Sequence, residues 1–358
     1  MNIRPSNLRR SVRLDGVDGK PNAHVSASIA ALLSQQTIDK REAQMLLAHV
    51  LGISRALVIA HPERTLDAAQ EERVRDFFSR RAAGEPIAYL LGTREFYGRD
   101  FAVSPATLIP RPETELIVEQ ALARLSDHKW PASLASARVS QIETSRNSIS
   151  VHPEPVEGRN ELRCESNLTP GASTGSARTG NPESGQADSD ARARILDIGT
   201  GSGAIAVTLA LERRDAIVVA ADISHDALDI ANQNAHRLDA KVEFIQSHWY
   251  TNLTGRKFDL IVSNPPYVAG RDEHLLRGDL RFEPQIALTD ESSDGLQSIR
   301  SIVDGAPAHL HPGGWLLFEH GYDQVDACRE LLLKAGFENL ISIDDLAGIP
   351  RVAGGQIR

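Results

Sequence analysis

Asp197-Ile198-Gly199-Thr200-Gly201-Ser202-Gly203-Ala204 stands where an apolar run over 195–198 gives way to a stretch of helical periodicity. Three glycines at a strand-to-helix turn permit left-handed backbone and close approach of a ligand, while the first amides of the helix point out of the turn. Asp222 closes the next apolar run, over 217–221, about 20 residues downstream, where a carboxylate can accept both hydroxyls of a ribose. Loop and carboxylate together predict a nucleoside pocket. The loop alone leaves three readings open, because Gly199-x-Gly201-x-x-Ala204 also fits a dinucleotide fingerprint or a plain structural turn. A carboxylate two residues ahead of Gly199 favours S-adenosylmethionine, which carries positive ammonium and sulfonium groups and no pyrophosphate.

Outward from this loop, short apolar runs alternate with helical stretches. A helix follows Gly203 and another begins at Ser224; apolar runs cover 242–245 and 258–262; helices cover 296–310 and 323–335 around a run at 315–318. Such alternation predicts an α/β fold, a doubly wound, Rossmann-like parallel sheet. The segments 340–343 and 351–357 are expected to add a final antiparallel pair.

The run over 258–262 leads into Ser263-Asn264-Pro265-Pro266-Tyr267. Ligands of open α/β sheets bind at the carboxyl ends of strands, so this loop is expected to face the same crevice as the glycine loop. Its prolines fix φ and remove two N–H donors, which leaves the Asn264 side-chain oxygen and a backbone carbonyl as aimed acceptors. Two acceptors suit one planar NH₂. Gripping both hydrogens turns the nitrogen towards an incoming methyl and stabilises the positive charge that grows during transfer. Tyr267 would lay its ring against the planar group or the sulfonium. Asn264, Pro265 and Tyr267 are therefore the catalytic candidates. The plain alternative is a proline turn ending a buried strand. No metal is called for, and His309 and His311, the nearest pair of histidines, have no further ligands beside them.

Upstream, Leu46, Leu47, Val50 and Leu51 recur at helical spacing behind Lys40 and Arg41, and Gly52 follows as a stop. Asp67 with Gln70 forms a capping-box pattern opening a helix through Val74, Phe77 and Phe78. A small helical bundle is expected over 25–84. Ile87, Tyr89 and Leu91, then Phe96, Tyr97, Phe101 and Val103 around Gly98-Arg99-Asp100, suggest a β-hairpin linker over 85–110. The proline-bounded Leu108-Ile109-Pro110-Arg111-Pro112-Glu113-Thr114-Glu115 then leads into a helix over 116–125 and the α/β domain, 111–358. Residues 1–24 and 126–190 are rich in polar, Gly and Pro residues without periodicity, and are expected to form a disordered tail and a disordered insertion.

An apolar share of 41% and a charged share of 24% place the chain among folded globular proteins, and no apolar run approaches the roughly 20 residues of a membrane helix. The N-terminal arginines, Arg4, Arg9, Arg10 and Arg13, precede no apolar stretch, so no secretory signal is read and a cytoplasmic location is expected. Cys164 and Cys328 are too few for a disulfide framework. A net charge of −9 disfavours affinity built on neutralising nucleic-acid phosphates.

Leu46-Leu47-Ala48-His49-Val50-Leu51-Gly52, Phe96-Tyr97-Gly98, the 109–115 loop, the glycine loop, Asn264-Pro265-Pro266-Tyr267 and Glu319-His320-Gly321 together resemble the release factor glutamine methyltransferases, the HemK or PrmC family. The likeness covers 25–125 and 194–358. It implies a class I methyltransferase sheet with a helical N-terminal domain that helps to hold a protein substrate. The implied reaction carries a methyl group from S-adenosylmethionine to the side-chain nitrogen of the glutamine in the Gly-Gly-Gln motif of peptide chain release factors. By position, the resemblance assigns Gly199, Thr200, Gly201, Ser202, Gly203, Asp222, Trp249 and Asn264 to the cofactor. It assigns Asn264, Pro265, Pro266 and Tyr267 to the substrate glutamine, in an enzyme expected to be a monomer. Read alone, Trp249 either covers an adenine or packs in the core, and Arg111 with Glu113 either closes over the cofactor or braces its own loop. The insertion departs from the family pattern; its Val151-His152-Pro153-Glu154-Pro155-Val156-Glu157-Gly158 looks like a translated mobile repeat.

Three rivals share parts of this pattern. A DNA adenine methyltransferase would use the same acceptors but needs base flipping and a basic surface. A ribosomal-protein glutamine methyltransferase shares the catalytic loop, though the 111–115 stretch resembles the release-factor branch more closely. A non-catalytic adenosylmethionine-binding protein would have no need to keep the site residues.

Overall fold

The computed structural model describes residues 27–127, 192–276 and 278–358. The tail expected over 1–24 lies outside them, as does the expected insertion from 128 onwards; residues 126 and 127 end a helix instead.

Five short helices come first among the described residues: α1 (Ile29–Gln35), α2 (Lys40–Leu51), α3 (Arg55–Ala60), α4 (Ala68–Ala82) and α5 (Ile87–Leu91). Asp39 caps α2 by accepting the N–H groups of Arg41 and Glu42, and Gly52 ends it in the left-handed conformation at φ 62°. The capping box at α4 is present in both directions, Asp67 with the Gln70 N–H and Gln70 with the Asp67 N–H. Leu46, Leu47, Val58, Leu66 and Val74 close a core of their own among these helices.

Where alternating Ile87, Tyr89 and Leu91 suggested the first arm of a hairpin, the structure has helix α5. Pro86 fixes the entry and Gly92, at φ 71°, the exit, leaving a five-residue turn of helix whose Tyr89 hydroxyl donates to the Thr107 carbonyl at 2.7 Å. Three alternating positions are too few to separate the two periods. The hairpin itself is shorter, β1 (Thr93–Phe96) against β2 (Arg99–Ala102), with Phe96 and Phe101 edge to face.

A 3₁₀ turn at Pro112–Thr114 and α6 (Glu115–Asp127) lead to the main sheet. Its elements are β3 (Arg194–Ile198), α7 (Ala204–Glu212), β4 (Ile217–Asp222), α8 (His225–Leu238), β5 (Val242–Gln246) and β6 (Phe258–Ser263). After two 3₁₀ turns follow α9 (Gln285–Leu288), α10 (Gln297–His309), β7 (Leu310–Glu319), α11 (Val325–Lys334), β8 (Glu338–Asp344) and β9 (Pro350–Gln356). The strands lie in the order β5-β4-β3-β6-β7-β9-β8, with only β9 antiparallel to its neighbours.

Side chains alternate across this sheet as strand geometry requires. Ile195, Val218, Leu260 and Val262 meet α6, α7 and α8 on one face, and Leu196, Val219, Ile261 and Leu316 meet α10 and α11 on the other. The order reverses between β3 and β6, which pair from Ile195 with Leu260 to Ile198 with Ser263. At that reversal the outgoing loops diverge and a crevice must open. No helix among the described residues is long and apolar enough to cross a membrane.

The hairpin is fastened to the sheet by Asn234 of α8, which is fully buried. Its Oδ1 accepts the Ala102 N–H at 2.7 Å, and its Nδ2 donates to the carbonyls of Ala102 and Ser202, both at 2.9 Å. Removing one side chain would strand three backbone groups at once. Asn234→Ala is expected to lower unfolding free energy by about 2 kcal/mol in urea titration; a loss under about 0.5 kcal/mol would show that water replaces these bonds freely.

Candidate active site

The turn after β3 and the turn after β6 form the two walls of a crevice of about 420 Å³, within the size range of small-molecule sites. Gly199, Gly201 and Gly203 all adopt positive φ, at 72°, 55° and 81°. A Cβ on Gly199 or Gly201 would meet no atom within 4 Å, so bare backbone faces open space. At Gly203 the reason differs, because a Cβ there would press on Ala231 of α8 at 3.0 Å. The first two glycines make room for a ligand, and the third lets a helix pack.

Asp222 lies across from them and holds the loop as well as facing the crevice. Its Oδ2 accepts the Gly201 N–H and its Oδ1 the Ser224 N–H, both at 2.9 Å, which leaves lone pairs on each oxygen for hydroxyl donors. Burial pushes its carboxyl up, against the pull of those amides. Trp249 packs on the inner core and also lines the crevice. It has φ 50°, and the Ser247 hydroxyl donates to its carbonyl at 2.8 Å. A tryptophan in the left-handed region is uncommon.

Asp197 does not face the crevice. It is fully buried under the glycine loop, where Oδ2 accepts the Thr200 hydroxyl at 2.6 Å and the Ala206 N–H at 3.1 Å, while Oδ1 has no partner among the described residues. It fastens the loop to the start of α7.

On the opposite wall, Asn264 and Pro266 line the crevice while Pro265 and Tyr267 do not. The Tyr267 ring packs into the inner core, its hydroxyl donates to Glu319 Oε1 at 2.8 Å, and its carbonyl accepts Gln324 Nε2 at 3.0 Å. The sequence reading laid this ring against the ligand; the β7 carboxylate draws it behind the wall instead. Thr114 Oγ1 donates to Glu319 Oε2 at 2.7 Å and accepts from Asn264 Nδ2 at 3.0 Å. Glu319, at the end of β7, is 1% exposed. Burial pushes its carboxyl up, opposed by the Thr114 and Tyr267 hydroxyls and the Arg351 charge.

Arg111 pairs with Glu283, which also accepts the Ile109 N–H at 3.0 Å, so the 109–115 loop is braced against the segment beyond the Asn-Pro-Pro-Tyr turn. Glu283 had no signal in the sequence, being a lone acid in an irregular stretch. Glu319 had one, because it stands at the carboxyl end of an apolar strand, the edge of the sheet along which such folds place their sites. His225, Asp226 and Asp229 bring possible metal ligands within 4.8 Å of one another, but they are exposed and none lines the crevice.

A seven-stranded sheet in this order, with a glycine loop, an acid facing the crevice and an Asn-Pro-Pro-Tyr turn at its switch point, defines a class I S-adenosylmethionine-dependent methyltransferase. Comparison with known proteins narrows the class. Residues 186–278 match the Methyltransferase small domain and 25–92 the PrmC N-terminal domain. The chain is 42% identical to a release factor glutamine methyltransferase of Bordetella pertussis over 91% of this chain and 98% of that protein. It is 42% identical to that of Burkholderia pseudomallei over 92% and 96%, and 36% identical to that of Escherichia coli K12 over 88% and 92%. The chain belongs to the release factor glutamine methyltransferase family.

The loop carboxylate has a consequence for stability. Burial pushes Asp197 up to about 7, so the folded protein keeps a proton that the unfolded chain releases near pH 4. The cost of charging it therefore grows as pH rises from about 4 to about 7 and is constant above. Asp197→Asn is expected to raise the urea midpoint at pH 8, with the gain shrinking as pH falls towards 4; a gain independent of pH would contradict this origin.

Proposed function

We propose that the chain transfers a methyl group from S-adenosylmethionine to the side-chain amide nitrogen of the glutamine in the Gly-Gly-Gln motif of peptide chain release factors. The observation that carries this reading is the crevice itself, where a glycine cradle and Asp222 face Asn264 across the switch point, in a chain of this family. S-adenosylmethionine supplies a methyl group on a positively charged sulfur. The bare backbone of Gly199 to Gly203, with Thr200 and Ser202 between the glycines, would receive its amino-acid part, Asp222 would take the ribose hydroxyls, and Trp249 would cover the base.

An amide nitrogen is a poor nucleophile, because its lone pair is shared with the carbonyl. Orientation and electrostatic stabilisation must therefore supply much of the rate. Asn264 has its Nδ2 engaged by Thr114, so its Oδ1 is the acceptor for one N–H of the incoming amide. A backbone carbonyl of the turn, beside a proline that brings no N–H, takes the other. As the nitrogen–methyl bond forms and the methyl–sulfur bond breaks, positive charge grows on the nitrogen and both acceptors stabilise it. One of the two held protons then leaves to solvent, restoring the neutral amide. Pro265, Pro266 and Tyr267 shape the turn, Tyr267 from behind through Glu319. With this reading go a cytoplasmic location, where translation takes place, a monomeric enzyme, and a helical domain that grips a protein rather than a nucleic acid.

Asn264→Ala is expected to lower kcat by about 100-fold or more, as loss of one preorganised partner of transition-state charge does elsewhere, with S-adenosylmethionine binding weakened but measurable. Asp222→Ala should weaken that binding by about 10- to 100-fold in calorimetry. Labelled S-adenosylmethionine should mark a purified release factor, and neither the same factor lacking the glutamine nor adenine-containing DNA. Label on DNA, or label that survives loss of the glutamine, would sink the reading.

A further inference from the structure

A buried carboxylate with two hydroxyl partners imposes a direction on every hydrogen bond attached to it. Burial works against the charge of Glu319, but a hydroxyl stands at each of its two oxygens, Thr114 Oγ1 at 2.7 Å and Tyr267 at 2.8 Å. These with the Arg351 charge favour the ionised form, which has only acceptors, so both hydroxyls donate to it. The tyrosine can do nothing else, since burial holds its phenol well above the usual range and it keeps its proton. Threonine has a single hydroxyl hydrogen. Once that hydrogen is given to Glu319, Thr114 can only accept from Asn264, whose side chain stands at 3.0 Å. An Asn side chain with its oxygen towards Thr114 would then set two acceptors against each other. Its NH₂ must therefore face Thr114, and its oxygen is left for the crevice.

We infer that Glu319 is a positioning residue that sets which end of the Asn264 amide faces the substrate, acting through the single proton of Thr114. The two ends of an Asn amide are nearly equal in shape and opposite in function. With oxygen outward the group accepts an N–H of the glutamine; with nitrogen outward it repels it. Steric fit cannot make that choice, and a fixed charge two hydrogen bonds away can. Glu319 lies 205 residues from Thr114 and 52 from Tyr267 in sequence, so three separate elements converge on one polarity.

Glu319→Gln keeps the shape and removes the direction. The new amide must point its NH₂ at one of the two hydroxyls. If it faces Thr114, the threonine proton turns to Asn264 Oδ1 and the Asn amide flips. If it faces Tyr267, a buried phenol proton loses the sole partner it has among the described residues. The first arrangement satisfies more groups and is favoured. Thr114→Val breaks the relay outright at nearly constant volume, and Thr114→Ser restores it.

This inference rests on the proposed methylation of an amide, so the wild-type protein is first shown to label a purified release factor; no label on the wild type overturns that reading rather than this one. Given wild-type turnover, Glu319→Gln and Thr114→Val are each expected to lower kcat by about 10- to 100-fold. KM for S-adenosylmethionine should change by less than about threefold, and Thr114→Ser should recover to within about threefold of wild type. The double variant should be no worse than the poorer single one, because both cut the same chain of bonds. A Glu319→Gln enzyme with wild-type kcat overturns the inference, as does a Thr114→Ser enzyme as impaired as Thr114→Val. If Glu319→Gln lowers Tm enough to unfold the protein, the Thr114 pair decides on its own.

Discussion

Pairing of Ile198 with Ser263 joins two parallel strands whose following loops have to part, because the chain turns outward to β4 on one side and to β7 on the other. The Ser263 hydroxyl reinforces that contact by donating to the Ile198 carbonyl at 2.7 Å. One residue later on β6 comes Asn264, and one residue later on β3 comes Gly199. Both walls of the crevice are thus measured from a single rung of the ladder, and their separation is set by backbone geometry rather than by side-chain packing. A slip of one residue in this pairing would turn Asn264 and the alternating core residues of β6 to opposite faces.

Such a crevice is edged by loops, and loops carry backbone groups that water would otherwise bind. Buried polar side chains satisfy them here. Asp197 ties the glycine turn to α7, Asn234 ties it to the hairpin, Glu283 ties the 109–115 loop to the segment after the proline turn, and Gln324 donates to the carbonyls of both Tyr267 and Asp294. Asp197 acts within its own turn, while Asn234, Glu283 and Gln324 each join residues 30 or more apart in sequence, so the loops are held without being covered. Asp197 has a cost, an Oδ1 without a partner among the described residues and a carboxyl driven up by burial.

Much of this was legible in the sequence because it is local. The strand–helix alternation, the glycine turn, Asp222, the capping box at Asp67 and Gln70 and the Asn-Pro-Pro-Tyr turn are each written within a few residues, and periodicity or φ preference suffices to read them. Helix α5 was misread because it is one turn long and apolar at every position, so that an alternation of Ile87, Tyr89 and Leu91 could be drawn from it although Ala88 and Leu90 are apolar and buried too. The placing of Tyr267 behind the wall was not legible, since it depends on Glu319, 52 residues away. Glu283 and Thr114 share that difficulty, their roles being fixed only when β6, β7 and the proline loop meet.

The two walls therefore differ in how they are encoded, and the difference follows from what each must recognise. In the proposed reading a nucleoside of fixed shape is met by backbone and one carboxylate, and a short run of glycines is enough to specify bare backbone. An amide nitrogen must be met by acceptors with the right sense of polarity, and polarity cannot be specified by a short run when the group presenting it is itself an amide with two interchangeable ends. Proline removes the competing backbone donors. It cannot orient the Asn264 side chain, which takes its direction from Thr114 and so from a charge at the far end of another strand. Specific chemistry at the amide wall is accordingly the property of the assembled sheet, not of the tetrapeptide that marks it.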